Sequence, residues 1–299
     1  MERRAYGDAD LPSLQQAFTA WVAEAGPCGY GHVGDLPHRI YEDLHPHGAP
    51  EELVEVWERH GEILGVAISL RFACAFDVFA APSARGTELE LEMLRAAAET
   101  TTARLGDEER FVLSDVFDCD ATRIAGLIEL GFEHFRNWDH FRERDLRDPI
   151  SASDPPTGFV VRSARTSDAE QLALARNSAL GSGWTGGAFR AKVMEKPGYE
   201  PERELVVEAP DGRIAAFATY WVDDRNGAGH FEPVGTHADF RRRGLARTAM
   251  LEAAHGRARD ANGDDHARRR EPSGAPSVRV TRVPEAIRDV RLPEAGVAA

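Results

Sequence analysis

From Glu204 the chain reads ELVVEA, PDGR and IAAFATYWV, two apolar runs on either side of a Pro-Asp-Gly turn. That pattern predicts an antiparallel hairpin. A third run, GHFEPVGTHADF (Gly229–Phe240), leads into RRRG and then GLARTAMLEAAHGRA. In the latter, Leu245, Met250, Leu251 and Ala254 fit one helical stripe. The first half carries a less regular hairpin, VWERHGEILGVAISLRF (Val56–Phe72). Strands paired first with each other and then joined through helices imply an α+β architecture.

The two halves echo each other. Arg4, Asp10 and Leu14 open the first, and Arg162, Asp168 and Leu172 open the second with the same spacing. The offset is 168 − 10 = 158, and it also carries Gly86 onto Gly244. An internal repeat of domain size follows. Asp10 and Asp168 stand where a carboxylate accepts amide bonds at a helix start. The Pro/Ser/Asp-rich RDPISASDPPTG (Arg147–Gly158) is too poor in apolar residues to pack. The sequence therefore predicts a first domain at 1–147, a linker at 148–157, a second domain at 158–262 and a tail at 263–299.

Composition narrows the classes. The chain has 299 residues, 42% apolar and 29% charged, with a formal net charge of −14. These values suit a globular, soluble protein and argue against nucleic acid or an anionic membrane as partner. No apolar run approaches the roughly 18 residues of a membrane span, and the N-terminus lacks a signal peptide's apolar stretch. Cys28, Cys74 and Cys119 are few, odd in number and far apart, so neither a disulfide nor a zinc site is expected. A cytoplasmic location and a monomer or weak dimer are the matching expectations. His45 and His47 read as surface residues without a further ligand, and no metal is expected.

In an acidic chain, Arg241, Arg242 and Arg243 before Gly244 ask for an anion. A strand feeding a helix leaves main-chain N–H groups unpaired at the helix start, and the helix dipole favours phosphate there. Gly244 has no Cβ and Ala246 the smallest, so a diphosphate can approach the backbone while the arginines add forked donors.

At these residues the sequence resembles the GNAT acetyltransferase superfamily, whose acetyl-coenzyme A loop reads Arg/Gln-x-x-Gly-x-Gly/Ala after the fourth strand. Arg241, Gly244 and Ala246 fill that pattern. With the repeat, the chain resembles tandem two-domain members of the mycothiol synthase kind. The resemblance implies two domains, each a mixed, mostly antiparallel sheet flanked by helices, with acetyl-CoA as co-substrate. It places the cofactor on Val234, Gly235, Thr236, Arg241, Arg242, Arg243, Gly244, Leu245 and Ala246. In the first half the counterpart is SARGTE (Ser83–Glu88): Gly86 remains, but Ser83 and Glu88 replace Arg241 and Ala246. Glu90 and Glu92 add further negative charge, so this half reads as a degenerate scaffold that no longer binds cofactor. Its closing segment, ATRIAGLIELGF, has Leu127 where the family has a tyrosine.

Acetyl transfer to an amine needs a proton acceptor. By strand alternation His230, Glu232 and Val234 share a face. Glu232 is the candidate base, with His230 next and a water chain as a third route. The plain structural alternative has Glu232 ordering the loop through an arginine. Trp184, Trp221 and Tyr220 line either a pocket or the core.

The ending departs from the family. There is no Tyr, Phe or Trp after Phe240, so the tyrosine that protonates the leaving thiolate is missing, and the tail shows no clear strand. Codons permitted for SVRVTRV (Ser277–Val283), read from their second bases, spell Leu-Tyr-Glu-Ser-Arg-Gly-Phe, the family's closing pattern. A frameshift between about Gly263 and Arg270 is therefore expected, with a second domain lacking its final strands, an open sheet edge and impaired activity. The functional expectation is an N-acetyltransferase in which a small-molecule amine attacks the thioester directly in the second domain. The alternative is a non-catalytic acyl-CoA-binding or interaction protein.

Overall fold

The computed structural model describes residues 1–107, 109–137, 140–150, 154–263, 277–282 and 290–291. Contacts divide the chain into unit 1, Met1–His140 with Arg282–Ala299, and unit 2, Phe141–Thr281.

Unit 1 begins with β1 (Glu2–Ala5) and α1 (Leu11–Ala25), followed by β2 (Val54–Arg59), β3 (Glu62–Arg71) and β4 (Ala75–Ala80). Next come α2 (Glu88–Thr102), β5 (Leu113–Ser114), α3 (Ala121–Glu129) and β6 (Glu133–His134). The sheet runs β1-β2-β3-β4-β5, antiparallel except for the parallel β4–β5 pair. Phe18, Trp57, Phe76, Met93 and Leu127 belong to one buried cluster.

Unit 2 contains β7 (His140–Asp145), β8 (Val160–Ser163), α4 (Ala169–Leu180), β9 (Glu204–Glu208), β10 (Ile214–Asp223) and β11 (Ala228–Thr236). It continues with α5 (Leu245–Gly263) and β12 (Ser277–Arg282); a short β13 (Val290–Arg291) belongs to unit 1 and pairs with β6 there. The sheet order is β7-β12-β11-β10-β9-β8, with β8 to β11 antiparallel and β11–β12 parallel. Strand alternation sorts neighbours to opposite faces. Val206 and Phe217 join Leu172, Trp184 and Phe189 in one core, on the side of α4. Leu205, Ala216, Ala218 and Phe231 join Leu245 and Ala249 of α5 in the other.

The repeat is visible bond for bond. Arg4 pairs with Asp10 at 2.8 Å and Glu58 at 2.9 Å, and Arg162 pairs with Asp168 at 2.6 Å and Glu208 at 2.7 Å. Each aspartate also accepts a backbone N–H three residues earlier, Gly7 at 2.8 Å and Arg165 at 2.7 Å. One guanidinium thereby ties the opening strand to the helix start and to the hairpin in each unit.

Two expectations change. Cys28 and Cys119 form a disulfide, with Cα atoms 6.2 Å apart, although 91 positions separate them. The fold brings the loop after α1 to the start of α3, which linear spacing cannot show. The expectation of a cytoplasmic location loses that support. The tail also holds a strand where none was expected: Ser277, Val278, Arg279 and Val280 pair in parallel with Ala228–Phe231. Alternating valines suit a strand, and β11 offers a row of ladder groups for it to complete. The edge expected to be open is thus covered over that stretch. The remainder of the frameshift expectation falls on 264–276, 283–289 and 292–299, outside the described residues. Among the described residues, no helix is long and apolar enough to cross a membrane.

Candidate active site

The site grows from the β10–β11 pair. Ala218 faces Val234 and Tyr220 faces Phe231, so two steps along β10 span three along β11. The extra residue lies at Glu232–Pro233. Proline has no N–H for a ladder, and a bulge is where a strand tolerates one. The bulge overturns the expected shared face of His230, Glu232 and Val234. Val234 and Phe231 both pack toward the α5 core, whereas His230 stands across from Trp221, on the face that Phe217 shares.

The bulge brings the two candidate acid–base groups together. His230 Nε2 lies 3.1 Å from Glu232 Oε2. The imidazole is completely buried and stacks on Phe141, with ring centroids 6.2 Å apart and planes 14° from parallel. The Glu232 side chain keeps 29% of its surface exposed. A carboxylate that meets solvent in front of a shielded imidazole can accept a proton from outside. The Trp221 indole N–H donates to the Glu232 carbonyl at 2.6 Å, fixing the bulge that presents the pair. Trp221 thus combines core packing with positioning, whereas Trp184 is core, packed on Phe189 at 5.6 Å. Tyr220 is half-buried with its ring edge toward Phe231.

After β11 a short turn re-aims the chain into α5. The Phe240 N–H donates to the His237 carbonyl at 2.9 Å, and Ala238 N–H donates to the Ser178 hydroxyl at 2.9 Å. Phe240 is buried as the anchor, with the Arg213 guanidinium 4.6 Å and the Arg243 guanidinium 5.6 Å from its ring centroid. Arg241 donates to the Ser178 carbonyl at the end of α4, 3.3 Å away. Arg242 and Gly244 hold left-handed backbone, φ 63° and 76°. That conformation is common for glycine and rare for arginine, and rare conformations concentrate at functional turns.

The first N–H of α5 with an acceptor in its own turn is that of Thr248, on the Gly244 carbonyl at 3.0 Å. The amides of Leu245, Ala246 and Arg247 are the donors that a helix start leaves facing outward. Buried Leu245 seats the turn, while residues 241–244 are exposed. A Cβ built on Gly244 meets no atom within 4 Å, so the space beside its backbone is open. At Gly235 the reverse holds: the Phe217 ring lies where a Cβ would go, 2.3 Å away. These residues offer outward amides, a positive helix end, three guanidiniums and a clear approach, which together fit a diphosphate.

Sequence reasoning named the turn and offered Glu232 and His230 as alternative bases, without their contact, and it missed Ser178, Arg213, Phe141 and the tie from Trp221. Ser178 and Phe141 come from remote elements, and Trp221 is identified only by cross-strand register.

Comparisons with known proteins bear on the fold. Residues 174–269 match the sequence model of the Acetyltransferase (GNAT) family. No curated protein matches the chain. Among solved structures, a GCN5-related N-acetyltransferase from Sphaerobacter thermophilus is similar at 18% identity and a TM-score of 0.55, covering 100% of this chain and 88% of that one. A tandem GNAT protein from the clavulanic acid biosynthesis pathway is similar at 13% identity and a TM-score of 0.60, covering 100% and 99%. A GCN5-related glucosamine N-acetyltransferase region of a fungal β-N-acetylglucosaminidase gives 14% identity and a TM-score of 0.52, covering 97% of this chain and 38% of that one. At such identities the likeness is one of fold. The second half thus resembles a GNAT acetyltransferase domain over residues 174–269, and the fold of the whole chain is similar to that of a tandem GNAT protein.

Proposed function

We propose that unit 2 is an N-acetyltransferase that takes acetyl-CoA on the turn at 241–246 and passes the acetyl group to the amine of a small molecule. The observation that carries this reading is the open backbone at Gly244, framed by three arginines at the start of a 19-residue helix. Arg241, Arg242, Arg243, Gly244, Leu245 and Ala246 would hold the diphosphate. Val234, Gly235 and Thr236 would lie along the pantetheine arm. Bound acetyl-CoA supplies the thioester that the amine attacks.

The remaining chemistry belongs to the chain itself. Glu232, partly exposed at the bulge, accepts the proton of the attacking amine and becomes a neutral carboxyl, which His230 Nε2 behind it holds by a hydrogen bond. The Val234 amide, turned away from β10 beside the bulge, is the proposed donor to the carbonyl oxygen as it becomes negative. With no tyrosine after Phe240, water is left to protonate the departing thiolate. A thiol ionises near pH 8.5, so the group leaves as thiolate with modest assistance.

The test combines two measurements on the intact chain. Calorimetry with acetyl-CoA reports binding, and thiol release in the presence of an amine panel reports turnover. Binding with amine-dependent release supports the reading. Binding without release favours the non-catalytic acyl-CoA-binding alternative. Absence of binding removes both.

A further inference from the structure

The offset that joins Gly86 to Gly244 also joins Glu90 to Thr248, since 90 + 158 = 248. Both glycines hold left-handed backbone, φ 71° and 76°. Their surroundings are opposite. In unit 1 the Gly86 N–H donates to Glu90 Oε2 at 2.6 Å. Glu90 is 2% exposed, and its other oxygen takes Arg123 at 2.9 Å through Nε and 2.8 Å through Nη2. Arg123 also donates to the Val78 carbonyl. The loop's own arginine, Arg85, turns inward to Asp120 and lies over the Tyr30 ring at 5.1 Å. Thr87 caps α2 by accepting the Leu89 N–H at 3.3 Å. The run Thr87-Glu88-Leu89-Glu90 is thus a capping box whose glutamate reaches one residue further back than usual. In unit 2 the matching Thr248 hydroxyl donates to the Gly244 carbonyl at 3.2 Å.

We infer that Glu90 decides which half takes the cofactor: its carboxylate is an internal anion standing where the second half would accept a diphosphate, so the chain binds one acyl-CoA. This rests on the reading of unit 2 given above. The physics is substitution of like for like. A helix start and a guanidinium stabilise negative charge, and a tethered carboxylate satisfies them without the entropy cost of capturing a free ligand. Sequence suggested repulsion by Glu88, Glu90 and Glu92. The structure separates their roles: Glu88 and Glu92 are exposed, and Glu90 fills the turn.

Two measurements test the inference independently. Calorimetry of coenzyme A against the intact chain is expected to give one site; two sites would overturn the inference, and no site would sink the unit 2 reading instead. Thermal melts with and without inorganic phosphate then examine Glu90 alone. Glu90→Ala leaves the Gly86 N–H and Arg123 facing a vacated anion position. Phosphate is expected to raise its Tm by several degrees more than that of the unaltered chain. An equal response in both proteins overturns the assignment. Should Glu90→Ala not fold, Glu90→Gln keeps an oxygen for Gly86 but removes the charge facing Arg123. It is expected to melt below the unaltered chain, and an unchanged Tm would overturn the assignment.

Discussion

Replacing Gly235 by alanine is a sharp test of how β11 is held. The new Cβ would lie 2.3 Å from Phe217 Cζ, 2.6 Å from Cε1 and 2.9 Å from the Ala179 Cβ. Carbon atoms rest at about 3.5–4.0 Å, so the ring would have to retreat by roughly 3.5 − 2.3, or about 1.2 Å. It has no route out. Phe217 is fully buried, with the Arg176 guanidinium 4.8 Å from its centroid. Arg176 is itself buried and held by Glu204 at 2.8 Å. Overpacking of this kind costs about 1–3 kcal/mol, and the lower unfolded-state entropy of alanine offsets about 0.4–1 kcal/mol. The net loss, about 1.3 kcal/mol at the midpoint (2 − 0.7) and about 2.6 kcal/mol at most (3 − 0.4), should lower the Tm of unit 2 by about 3–10 °C in calorimetry. Gly187 provides the control: it is helical, exposed, and has nothing within 4 Å of an added Cβ. Gly187→Ala should hold or raise the Tm. A Gly235→Ala protein melting at or above the unaltered chain would refute the packing argument.

Glu232→Gln should lower kcat for thiol release by about 10²–10⁴-fold while leaving the KM for acetyl-CoA nearly unchanged, and a change below about threefold would remove Glu232 as the base. The Arg4 hydrogen bonds hold the Asp10 carboxyl below its ordinary 3.8; at Asp168 burial pushes upward, but the Arg162 guanidinium and the Arg165 N–H together outweigh it and the net shift is again downward. A lowered carboxyl contributes stability that is fully present above 3.8 and is lost as pH falls through the lower folded value. Asp10→Asn and Asp168→Asn should therefore be less stable than the unaltered chain at pH 7 in urea melts, with the gap closing as pH falls below 3.8; a gap independent of pH would contradict this.

What could be read from the sequence was local. Arg4 with Asp10 and Arg162 with Asp168 lie six residues apart, so their pairing shows in the spacing. Their third partners, Glu58 and Glu208, differ by 150 positions rather than 158, because the intervening loops differ in length, and only the fold reveals them. The turn at Gly244 was legible for the same reason: strand, arginines, glycine and helix follow one another along the chain. The bulge was not, because an extra residue on β11 is defined only against its partner strand, and this misplaced Val234. Nor was the Cys28–Cys119 bond, which depends on a tertiary approach. Glu90 was visible as a charge, but its inward direction follows from the burial of Arg123.

Calorimetry of coenzyme A against the chain carrying Arg241→Ala, Arg242→Ala and Arg243→Ala tests the central claim most directly. These side chains are exposed, so the fold should survive their loss, as the melting curve will show. Each removed charge-assisted contact costs about 1.5–3 kcal/mol, so loss of even two should weaken binding at least about 100-fold. Coenzyme A bound as tightly as by the unaltered chain would show that the turn before α5 is not where the diphosphate rests.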